Sequence, residues 1–466
     1  MRILLVDDDV YTLDILTTFL GKTMQSDVLS VATKKKAVEA LEREDFLFII
    51  TDIKLEDGSG YEVLEKAKRK NVLTPVIGIT GYVDELEDTY MSINFDALIR
   101  KPLHLQGFLK KLNEVNSKFF QIFFYGSFGE FREASPETSD KKMVVFTTEE
   151  YAAEVREYLK EKQLDSFGAV VPGFIYRSKV FENGIMTMFI SHRATEIKLC
   201  DSGSLIVSDP ENTKSHLVFY DVCTLDLEDF NDEYGKVFED EYVLGIGCGD
   251  KYLRKGPALF DKKGFYDKSC LVISTSRRIY SESFLGLKTV GEPLVVEKKG
   301  NIIKKINGKD ACEYYLRLYQ TYENDSVSNI YQAGIKYPFG FIDEDKQLIA
   351  RVPVNDSEEG FRFIGGYTTC SSSYILQYDK DRAMSELDEL LKYFRIKERI
   401  DMPVITYCYG RYTGNKDNFS FSELKKIFEY FPDINFGFLS HGEIISSKQD
   451  KYKMQNYSVI LSNIEV

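Results

Sequence analysis

The stretch Leu-Phe-Ile-Ile-Thr-Asp at residues 47–52 decides the fold of the first hundred residues, because it is an apolar run that ends in a carboxylate. Other apolar runs in this region also end in polar residues: residues 3–6 are followed by Asp7 and Asp8, residues 75–79 by Thr80, and residues 97–99 by Lys101. Short apolar runs separated by amphipathic stretches predict the parallel strands of a doubly wound α/β sheet. In such sheets reactive groups collect outside the carboxyl ends of the strands, so we expect these side chains to converge on one small site.

The residue types at these strand ends indicate phosphoryl chemistry. Asp7, Asp8 and Asp52 form an oxygen-rich set that suits Mg²⁺, and no Cys or His that would favour zinc lies near them. If Asp52 accepts a phosphoryl group, the metal and Lys101 would neutralise the charge on its oxygens, and Thr80 would hydrogen-bond to one of them. The product would be an aspartyl phosphate, which is a covalent intermediate and also a switch.

Over residues 1–118 the chain resembles the receiver domain of two-component response regulators. The matching segments, in order, are LVDDD at 5–9, ITDIKL at 50–55, DG at 57–58, ITG at 79–81 and KP at 101–102. A combination of this kind is far more specific than a single pair of aspartates. The resemblance implies a flavodoxin-like fold and phosphorylation by a histidine kinase or a phosphotransfer protein.

The resemblance also implies roles for single residues. Asp52 is the expected phosphoacceptor, and Lys101 is expected to pair with the phosphoryl group. The expected metal ligands are Asp7, Asp8, Asp52 and the backbone carbonyl of Lys54.

Two further features of this region follow from the resemblance. The peptide bond between Lys101 and Pro102 is expected to be cis, which X-Pro bonds permit. Leu98 stands where the family usually has an aromatic residue whose rotation reports phosphorylation, so the aromatic half of that switch is absent from the sequence. The alternative is a receiver-like domain that only docks and is never phosphorylated.

Length and net charge limit the number of domains and the classes of partner that the chain can have. At 466 residues it is too long for one core, so two to three domains are expected. The formal net charge of -14 disfavours binding to nucleic-acid phosphates or to anionic membranes through the overall field. The short runs at 34–36 and 298–299 are interpreted as solvated lysines, so no nucleic-acid partner is expected.

The cysteines and the absence of long apolar runs predict a cytoplasmic protein. All seven cysteines lie beyond residue 118 and none forms a C-x-x-C pair, which is typical of reduced thiols. The first residues lead directly into a predicted strand rather than into a signal peptide, and no apolar run reaches the length of a membrane span.

The region after the receiver contains a weak internal repeat. A connecting segment at 119–141, with a polar loop at its end, precedes a strand at 143–146, a helix to residue 162 and the spacing Gly-x₄-Gly at 168–173. A strand at 403–409, a helix to residue 430 and the same glycine spacing at 437–442 follow near the end of the chain. Capping boxes are predicted at Thr147 with Glu150 and at Ser420 with Glu423. Two related halves that face each other often hold a ligand between them.

These segments resemble a FIST domain (F-box and intracellular signal transduction), a sensory module with N-terminal and C-terminal parts. The matching segments are GEPLVV at 291–296, INGKDA at 306–311, YPFG at 337–340, CYGR at 408–411, GFLSHGEI at 437–444 and NYS at 456–458. The expected parts are 142–310 and 311–462, together a larger α/β or α+β domain with an internal pseudo-repeat. The resemblance implies sensing of a small molecule such as an amino acid.

Five residues near the end of the chain are candidates for the ligand site. Arg411 is suited to bind a carboxylate in a bidentate manner, and Glu443 with Ser440 is suited to receive an amine. The alternative is that Arg411 and Glu443 pair with each other and stabilise the fold. Asn456 is either a ligand residue or a turn residue. His441 is the best axial-ligand candidate if the domain binds haem, although such a histidine is more often a hydrogen-bonded pocket residue.

The functional hypothesis is a cytoplasmic response regulator whose FIST domain binds a small amino-acid-like ligand and integrates it with phosphorylation. The alternatives are a haem-binding nitric oxide sensor and a non-catalytic docking scaffold. A catalytic FIST part is disfavoured, because Cys248 has no assignable His partner and the glycines at 245, 247 and 249 lack the lysine of a phosphate loop. A homodimer is left open.

Overall fold

The computed structural model describes residues 2–24, 27–44, 46–70, 74–81, 95–116, 120–134, 142–190, 196–201, 213, 215–225, 230, 241–254, 256–300, 302–327, 329–342, 346–357, 360–366, 372–396, 402–415, 420–431, 436–446 and 453–464. The chain divides into two compact units, Met1–Lys142 with Thr187–Ser191, and Met143–Met186 with His192–Val466. The predicted receiver boundary at residue 118 and most of the predicted polar loop, at 135–141, lie outside the described residues.

The first unit contains a five-stranded parallel sheet with the strand order β2-β1-β3-β6-β7. Its elements are β1 (Arg2–Val6), α1 (Val10–Met24), β2 (Val28–Val31), α2 (Lys34–Arg43), β3 (Phe46–Asp52), β4 (Lys54–Leu55), β5 (Gly58–Ser59), α3 (Gly60–Lys70), β6 (Val76–Thr80), β7 (Ala97–Arg100), α4 (Leu105–Asn116), β8 (Phe120–Tyr125) and α5 (Phe128–Ala134). This is the doubly wound parallel sheet that the alternation of apolar runs and amphipathic stretches predicts.

Helices cover both faces of this sheet. Leu16 of α1 and Phe108 of α4 pack with Ile50 on one face, where alternate strand residues form one buried cluster. Leu41 of α2 and Val63 of α3 pack with the other set of strand residues on the opposite face. Parallel strands that are buried on both sides must be apolar almost throughout, which explains the continuous runs in the sequence.

The second unit is larger and contains mixed sheets. Its elements are β9 (Lys142–Thr147), α6 (Glu149–Glu161), β10 (Phe167–Val170), β11 (Gly173–Tyr176), β12 (Lys179–Phe181), β13 (Ile185–Ile190), β14 (Ile197–Asp201), β15 (Ser215–Asp221), β16 (Tyr242–Cys248), β17 (Leu259–Asp261), β18 (Phe265–Tyr266), β19 (Ser269–Thr275), β20 (Ile279–Phe284), β21 (Leu287–Leu294), β22 (Val296–Lys299), β23 (Ile302–Ile306), β24 (Lys309–Asp310), α7 (Ala311–Glu323), α8 (Ile330–Gly334), β25 (Phe339–Ile342), β26 (Leu348–Arg351), β27 (Pro353–Ser357), β28 (Gly360–Phe363), β29 (Ser372–Tyr378), α9 (Lys380–Ile396), β30 (Met402–Cys408), α10 (Tyr409–Gly414), α11 (Ser420–Tyr430), β31 (Phe436–Ser440), β32 (Glu443–Ser446), β33 (Lys453–Gln455) and β34 (Val459–Ile464). The last four residues of β13, 187–190, belong to the first unit.

Two six-stranded sheets form the centre of the second unit. Their strand orders are β12-β11-β31-β30-β34-β20 and β14-β19-β15-β16-β32-β33. Smaller sheets have the orders β21-β29-β25-β26 and β22-β23-β28-β27, and β9, β10, β17 and β18 lie side by side as β18-β17-β10-β9. Parallel and antiparallel pairs occur together, so the predicted larger α/β or α+β architecture is confirmed.

The two copies of the predicted repeat meet directly. In each copy the strand pairs in parallel with the first glycine strand, β9 with β10 and β30 with β31. The glycine strands of the two copies then pair with each other, since β11 lies antiparallel to β31 with Gly173 opposite Leu439 and Ile175 opposite Gly437. The repeat therefore corresponds to two structural halves joined through one sheet.

The predicted capping box of Thr147 with Glu150 is wrong, whereas the side chain of Ser420, in the other predicted box, lies outside the described residues. Helix α6 begins at Glu149 with Thr148 as its N-cap, and the Thr147 hydroxyl donates to the carbonyl of Thr148 instead of capping. In the second copy Glu423 is fully buried and paired with Arg411, so a tertiary ion pair takes the side chain that the local pattern assigned to the helix end.

Among the described helices of both units, none is long and apolar enough to cross a lipid bilayer.

Candidate functional site

The carboxyl ends of the parallel strands bring the predicted aspartates together. Asp7 and Asp8 follow β1, and Asp52 is the last residue of β3, which pairs with β1 so that Val6 lies opposite Thr51. One ligand oxygen from each of the three carboxylates lies within 4.8 Å of the others. Asp7 is fully buried and Asp52 is 7% exposed, so the cluster is set into the edge of the sheet.

Lys101, which follows β7, completes this cluster. Its ammonium Nζ lies 2.5 Å from Asp52 Oδ2 and 3.1 Å from Asp7 Oδ2. The backbone N–H of Lys101 donates to the carbonyl of Thr80 at 2.7 Å, and Thr80 ends the strand next to β3, one residue beyond the Asp52 and Ile79 pair. The peptide bond between Lys101 and Pro102 is cis, as the resemblance implies.

Backbone amides hold the carboxylates in place. The N–H of Asp9 donates to Asp7 Oδ1 at 2.9 Å, and the N–H of Glu56 donates to Asp8 Oδ2 at 2.9 Å. The N–H of Lys54 donates to Asp52 Oδ1 at 3.2 Å. Fixed donors of this kind orient the oxygens before any ligand arrives.

Gly60 allows the loop after Asp52 to return close to the strand. A Cβ at this position would lie 2.2 Å from the carbonyl oxygen of Asp52 and 3.0 Å from Thr51 Oγ1. The N–H of Gly60 donates to the carbonyl of Ile53, so α3 starts immediately beside the site. Any larger residue would displace the backbone that carries Asp52.

Burial and charge change two pKa values in the cluster. Burial raises the pKa of Asp7, and its hydrogen bonds to Asp9 and Lys101 only partly oppose that effect. Burial acts to lower the pKa of Lys101, but hydrogen bonds to Asp52 and Asp7 outweigh it, so the pKa of Lys101 is raised. The lysine is therefore held as a cation.

The donor set fits Mg²⁺. Three carboxylates and one ammonium have a formal charge of -2, and a hard divalent cation with oxygen ligands matches that charge. Asp7, Asp8 and Asp52 would hold the ion, and the backbone carbonyl of Lys54 remains the predicted fourth ligand. Receiver domains generally bind Mg²⁺ at an acidic pocket of this kind.

Leu98 occupies the position of the usual switch aromatic and packs into the sheet. It lies next to Gly78 on the neighbouring strand, where a Cβ would come within 2.7 Å of the Leu98 side chain and 3.2 Å of the Phe95 ring. Phe95 is 1% exposed and its ring contacts Tyr61 at a centroid distance of 5.6 Å. Phe95, three residues before Leu98, is thus a core residue.

In the second unit Arg411 pairs with Glu423, and the predicted alternative of an Arg411–Glu443 pair is wrong. Arg411 Nη2 lies 2.5 Å from Glu423 Oε1 and Nε lies 3.1 Å from Oε2, which is a bidentate geometry. Both side chains are fully buried. Burial acts to lower the pKa of Arg411, but the Glu423 carboxylate outweighs it and raises that pKa.

Three tyrosines, one phenylalanine and two backbone carbonyls lie around this pair. The hydroxyls of Tyr378 and Tyr407 donate to Glu423 at 2.7 and 2.6 Å. Arg411 Nη1 donates to the carbonyls of Leu285 and Tyr457. The guanidinium also lies over aromatic rings, including that of Tyr378 at 5.0 Å. The pair joins segments that are far apart in the chain, which is why no local pattern revealed it.

Glu443 is a second buried carboxyl group, next to two serines. The hydroxyls of Ser440 and Ser458 donate to it, the latter at 2.5 Å. Complete burial raises the pKa of Glu443 to about 8, against the lowering effect of the two hydroxyls. The predicted amine receptor therefore has partners within the protein.

His441 and Asn456 are also hydrogen-bonded inside the protein. His441 Nε2 bonds to the backbone carbonyl of Asp250 at 2.6 Å, and burial lowers the pKa of His441 to about 4. Asn456 Oδ1 accepts from the N–H of Val352 at 3.1 Å, and its amide donates to the carbonyl of His441 at 3.4 Å. Ligand binding by Arg411, Ser440, His441, Glu443 and Asn456 remains a prediction, and all five are at most 2% exposed.

The glycines at 245, 247 and 249 bring strands close together. A Cβ on Gly247 would lie 2.9 Å from the carbonyl oxygen of Gly442, to which the Gly247 N–H donates. A Cβ on Gly249 would lie 3.1 Å from Cys223 Sγ and 3.4 Å from the His441 ring. Cys248 between them is fully buried, and burial raises the pKa of its thiol.

Groups that the sequence did not assign to a site lie in and near the loop after Gly249, whose Asp250 carbonyl bonds to His441. Lys251 Nζ lies 3.0 Å from Glu150 and 2.5 Å from Asn183 Oδ1. The Tyr409 ring meets that of His441 at 5.5 Å, and Tyr252 is 71% exposed. These residues come from both halves of the unit and carry charges of both signs; only the glycine spacing that precedes 250–252 could have pointed to this loop.

Comparison with known proteins agrees with this arrangement. Residues 3–113 match the response regulator receiver domain, and residues 142–309 match the FIST N domain. The response regulator protein PilR of Pseudomonas aeruginosa is 35% identical over 113 residues, which cover 24% of this chain and 25% of that protein. A cyclic di-GMP phosphodiesterase of Thermotoga maritima is 28% identical over 165 residues, which cover 34% of this chain and 42% of that protein.

A solved CheY-like receiver domain protein from Methanospirillum hungatei has 36% sequence identity with a TM-score of 0.23, and covers 25% of this chain and 93% of its own. The chain thus spans 25% and 42% of the two curated relatives, so their whole activities do not transfer to it. What does transfer is the domain content: this chain carries an N-terminal response regulator receiver domain followed by a FIST N domain.

Proposed function

We propose that this protein is a cytoplasmic response regulator that a histidine kinase or phosphotransfer protein phosphorylates on Asp52. The contact of Lys101 Nζ with both Asp52 and Asp7 supports this best, because it places the cation where the phosphoryl charge would develop. A mere docking domain would not need an ammonium and three carboxylates at one sheet edge.

The proposed step is transfer of a phosphoryl group to a carboxylate. A carboxylate oxygen of Asp52 forms a bond to phosphorus as the N–P bond of a phosphohistidine breaks, and the electron pair returns to the imidazole nitrogen. Lys101 moves from the carboxylate to a phosphoryl oxygen, and the Thr80 hydroxyl donates to another. Bound Mg²⁺ supplies further neutralisation of the phosphoryl charge.

Phosphorylation is tested by intact-mass spectrometry after incubation with Mg²⁺ and acetyl phosphate. We expect an adduct of one phosphate on the wild type and none on Asp52→Asn. The matched control is Asp57→Asn, five residues further on, whose carboxylate caps α2 by accepting from the N–H groups of Lys34 and Lys35. An adduct on Asp52→Asn would place the phosphate elsewhere.

We further propose that the FIST part binds a small zwitterion, such as an amino acid, beside His441. The carboxylates of Glu150 and Asp250 act on Tyr409, and Lys251 pairs with Glu150. Both charges are therefore present, and a zwitterion can exchange with the Lys251–Glu150 ion pair. The meeting of the two repeat halves through β11 and β31 supports a site in this unit.

Ligand binding is tested by calorimetric titration of the purified protein with a panel of amino acids. We expect Lys251→Met and Glu150→Gln to weaken binding about tenfold or more, the effect of losing one charge-assisted hydrogen bond. Lys425→Met is the control, since Lys425 is 79% exposed on α11. Binding that is unchanged in both site variants would refute this location.

In this proposal, phosphorylation and ligand binding shift the same conformational equilibrium of the protein. Such coupling is reciprocal, so a ligand that binds the phosphorylated protein more tightly must also stabilise the phosphorylated state. Unchanged ligand affinity on phosphorylation, together with an unchanged dephosphorylation rate on ligand binding, would contradict integration.

The second candidate function is a non-catalytic docking scaffold. The observation that favours it is the complete burial and pairing of Arg411, Glu443 and Asn456, which leaves these side chains to the fold. No binding of any amino acid, with normal phosphorylation of Asp52, would favour this function. A haem site at His441 would require breaking its bond to Asp250, and an absorption spectrum of the purified protein tests it.

A further inference from the structure

Lys68 is a lysine whose ammonium is enclosed in the first unit. It lies near the end of α3 and is 9% exposed. Its Nζ donates to Asp96 Oδ2 at 2.7 Å and to the carbonyl of Thr74 at 2.9 Å, and it lies 4.7 Å from the centre of the Phe123 ring. Desolvating an ammonium is costly, so an enclosed lysine implies contacts that compensate for the lost water.

Asp96 attaches the start of β7 to β6, the strand next to it in the sheet. Asp96 Oδ2 accepts from the N–H of Val76 at 2.8 Å, and the N–H of Asp96 donates to the carbonyl of Val76 at 2.8 Å. Strand β7 is an edge strand of four residues, and Lys101 follows its last residue. The contact between Lys68 and Asp96 therefore holds one end of the strand whose other end carries the phosphate-pairing lysine.

Phe123 belongs to β8 in the connecting segment. Its ring contacts Phe189 of β13 at a centroid distance of 5.8 Å. A second contact between α3 and this segment is made by Arg69, whose Nη2 lies 3.8 Å from Glu133. Lys68 thus touches both the receiver strand β7 and the segment that follows the receiver in the chain.

The family's usual switch aromatic is missing at position 98, so it does not link the phosphorylation site to the rest of this domain. Leu98 is packed against Gly78, and the nearby Phe95 is buried. A displacement of the Lys101 backbone toward a phosphoryl group acts on β7, because Lys101 follows the last residue of that strand. Four residues of strand span about 13 Å, and a hydrogen-bonded strand moves largely as one piece.

We propose that Lys68 is a positioning residue that links the phosphorylation site to the connecting segment. It fixes the start of β7, and when Lys101 is drawn to the phosphoryl group, the shift of Asp96 pulls on Lys68 and loosens its contact with Phe123. This inference rests on the proposed phosphorylation of Asp52. It predicts that phosphorylation changes the protection of β8, and that Lys68 is required for that change.

The test is hydrogen exchange of the full-length protein with and without Mg²⁺ and beryllofluoride, which serves as the phosphoryl mimic. In the wild type we expect exchange in the peptides that cover 120–125 to change about fivefold or more, the lower end of typical couplings. In Lys68→Met that change is lost, while in Lys68→Arg, which keeps the charge and the contact over the ring, it is retained.

Asp96→Asn removes the charge of Asp96 but keeps an oxygen acceptor, since Lys68 Nζ and the N–H of Val76 both donate to Oδ2. The amide oxygen still accepts from the N–H of Val76, so β7 keeps its register, but the charge that pairs with Lys68 is gone. We expect this variant to behave as Lys68→Met does in exchange of 120–125.

Each outcome bears on a stated claim. An equal change in the exchange of 120–125 in the wild type and in Lys68→Met would overturn the role of Lys68, provided that both proteins gain a phosphate adduct on incubation with acetyl phosphate. No adduct on the wild type would instead overturn the proposed phosphorylation and this inference with it. If Lys68→Met unfolds, Asp96→Asn and Lys68→Arg decide the question, because a purely structural lysine predicts no difference between them in the response to beryllofluoride.

Discussion

Replacing Arg411 by Met should destabilise the second unit strongly, because the guanidinium pairs with a fully buried carboxylate. It makes two hydrogen bonds to Glu423 and donates to the carbonyls of Leu285 and Tyr457. Among the described residues, Arg411→Met leaves the buried Glu423 carboxylate with two tyrosine hydroxyls, and it leaves both carbonyls without this donor. Removing one partner of a buried pair costs about 3–5 kcal/mol.

The assay is thermal unfolding followed by circular dichroism or scanning calorimetry. A loss of that size corresponds to about 10 °C in the midpoint of the second unit. The double variant Arg411→Met with Glu423→Leu should recover much of the loss, because an apolar pair leaves no buried charge. The exposed pair of Lys425 and Glu429 is the control, and Lys425→Met should leave the midpoint unchanged.

A loss below about 1 kcal/mol for Arg411→Met would refute this reasoning. So would a double variant that is less stable than either single variant. If Arg411→Met instead abolished ligand binding without affecting the midpoint, the ligand role predicted from the sequence would be correct and the structural role wrong.

Three further predictions concern a buried acid, a strained turn and the partner surface. Because the pKa of Glu443 is about 8, the folded protein keeps a proton that the unfolded chain loses above about pH 4, so stability should fall as pH rises from about 4 to 8. The thermal midpoint of Glu443→Gln minus that of the wild type should therefore grow over this range. A constant difference would contradict the burial argument. Gly442 has φ +144°, and a Cβ there would lie 2.6 Å from a side-chain nitrogen. The free energy of unfolding of Gly442→Ala should therefore be lower than that of the wild type by more than about 1 kcal/mol, whereas Gly264→Ala, in open space, should not lose stability. Equal thermal midpoints would count against the strain. Tyr11 is 83% exposed at the start of α1, where we expect the kinase to dock. Tyr11→Ala should slow phosphotransfer from the kinase about fivefold or more without changing the reaction with acetyl phosphate, and Tyr252→Ala should change neither rate. An equal effect on both donors would exclude docking through α1.

The receiver site could be predicted from the sequence because its geometry follows from strand ends. Asp7, Asp52 and Lys101 each lie within two residues of the end of an apolar run, and parallel strands bring their carboxyl ends to one edge. Nothing beyond the order of the runs was needed to bring these residues together. The structure adds the distances, the cis peptide bond and the packing of Leu98 on Gly78.

The second unit was less predictable because its decisive contacts are long-range. The repeat of strand, helix and glycine strand was visible, and the pairing of β11 with β31 agrees with it. The partner of Arg411 was missed, since Glu423 fits a local capping pattern equally well. One signal was available: Glu423 lies one turn before Ile427 on the buried face of α11, where an acid requires a partner.

The most direct test of the central claim is to identify the residue that receives the phosphate. The protein would be phosphorylated with acetyl phosphate and Mg²⁺, reduced with borohydride, which converts an aspartyl phosphate to homoserine, and mapped by peptide mass spectrometry. Homoserine at position 52, in wild type and in Asp57→Asn, is the predicted result. Homoserine at another aspartate, or unmodified Asp52 in protein that has gained phosphate, would contradict the proposed function.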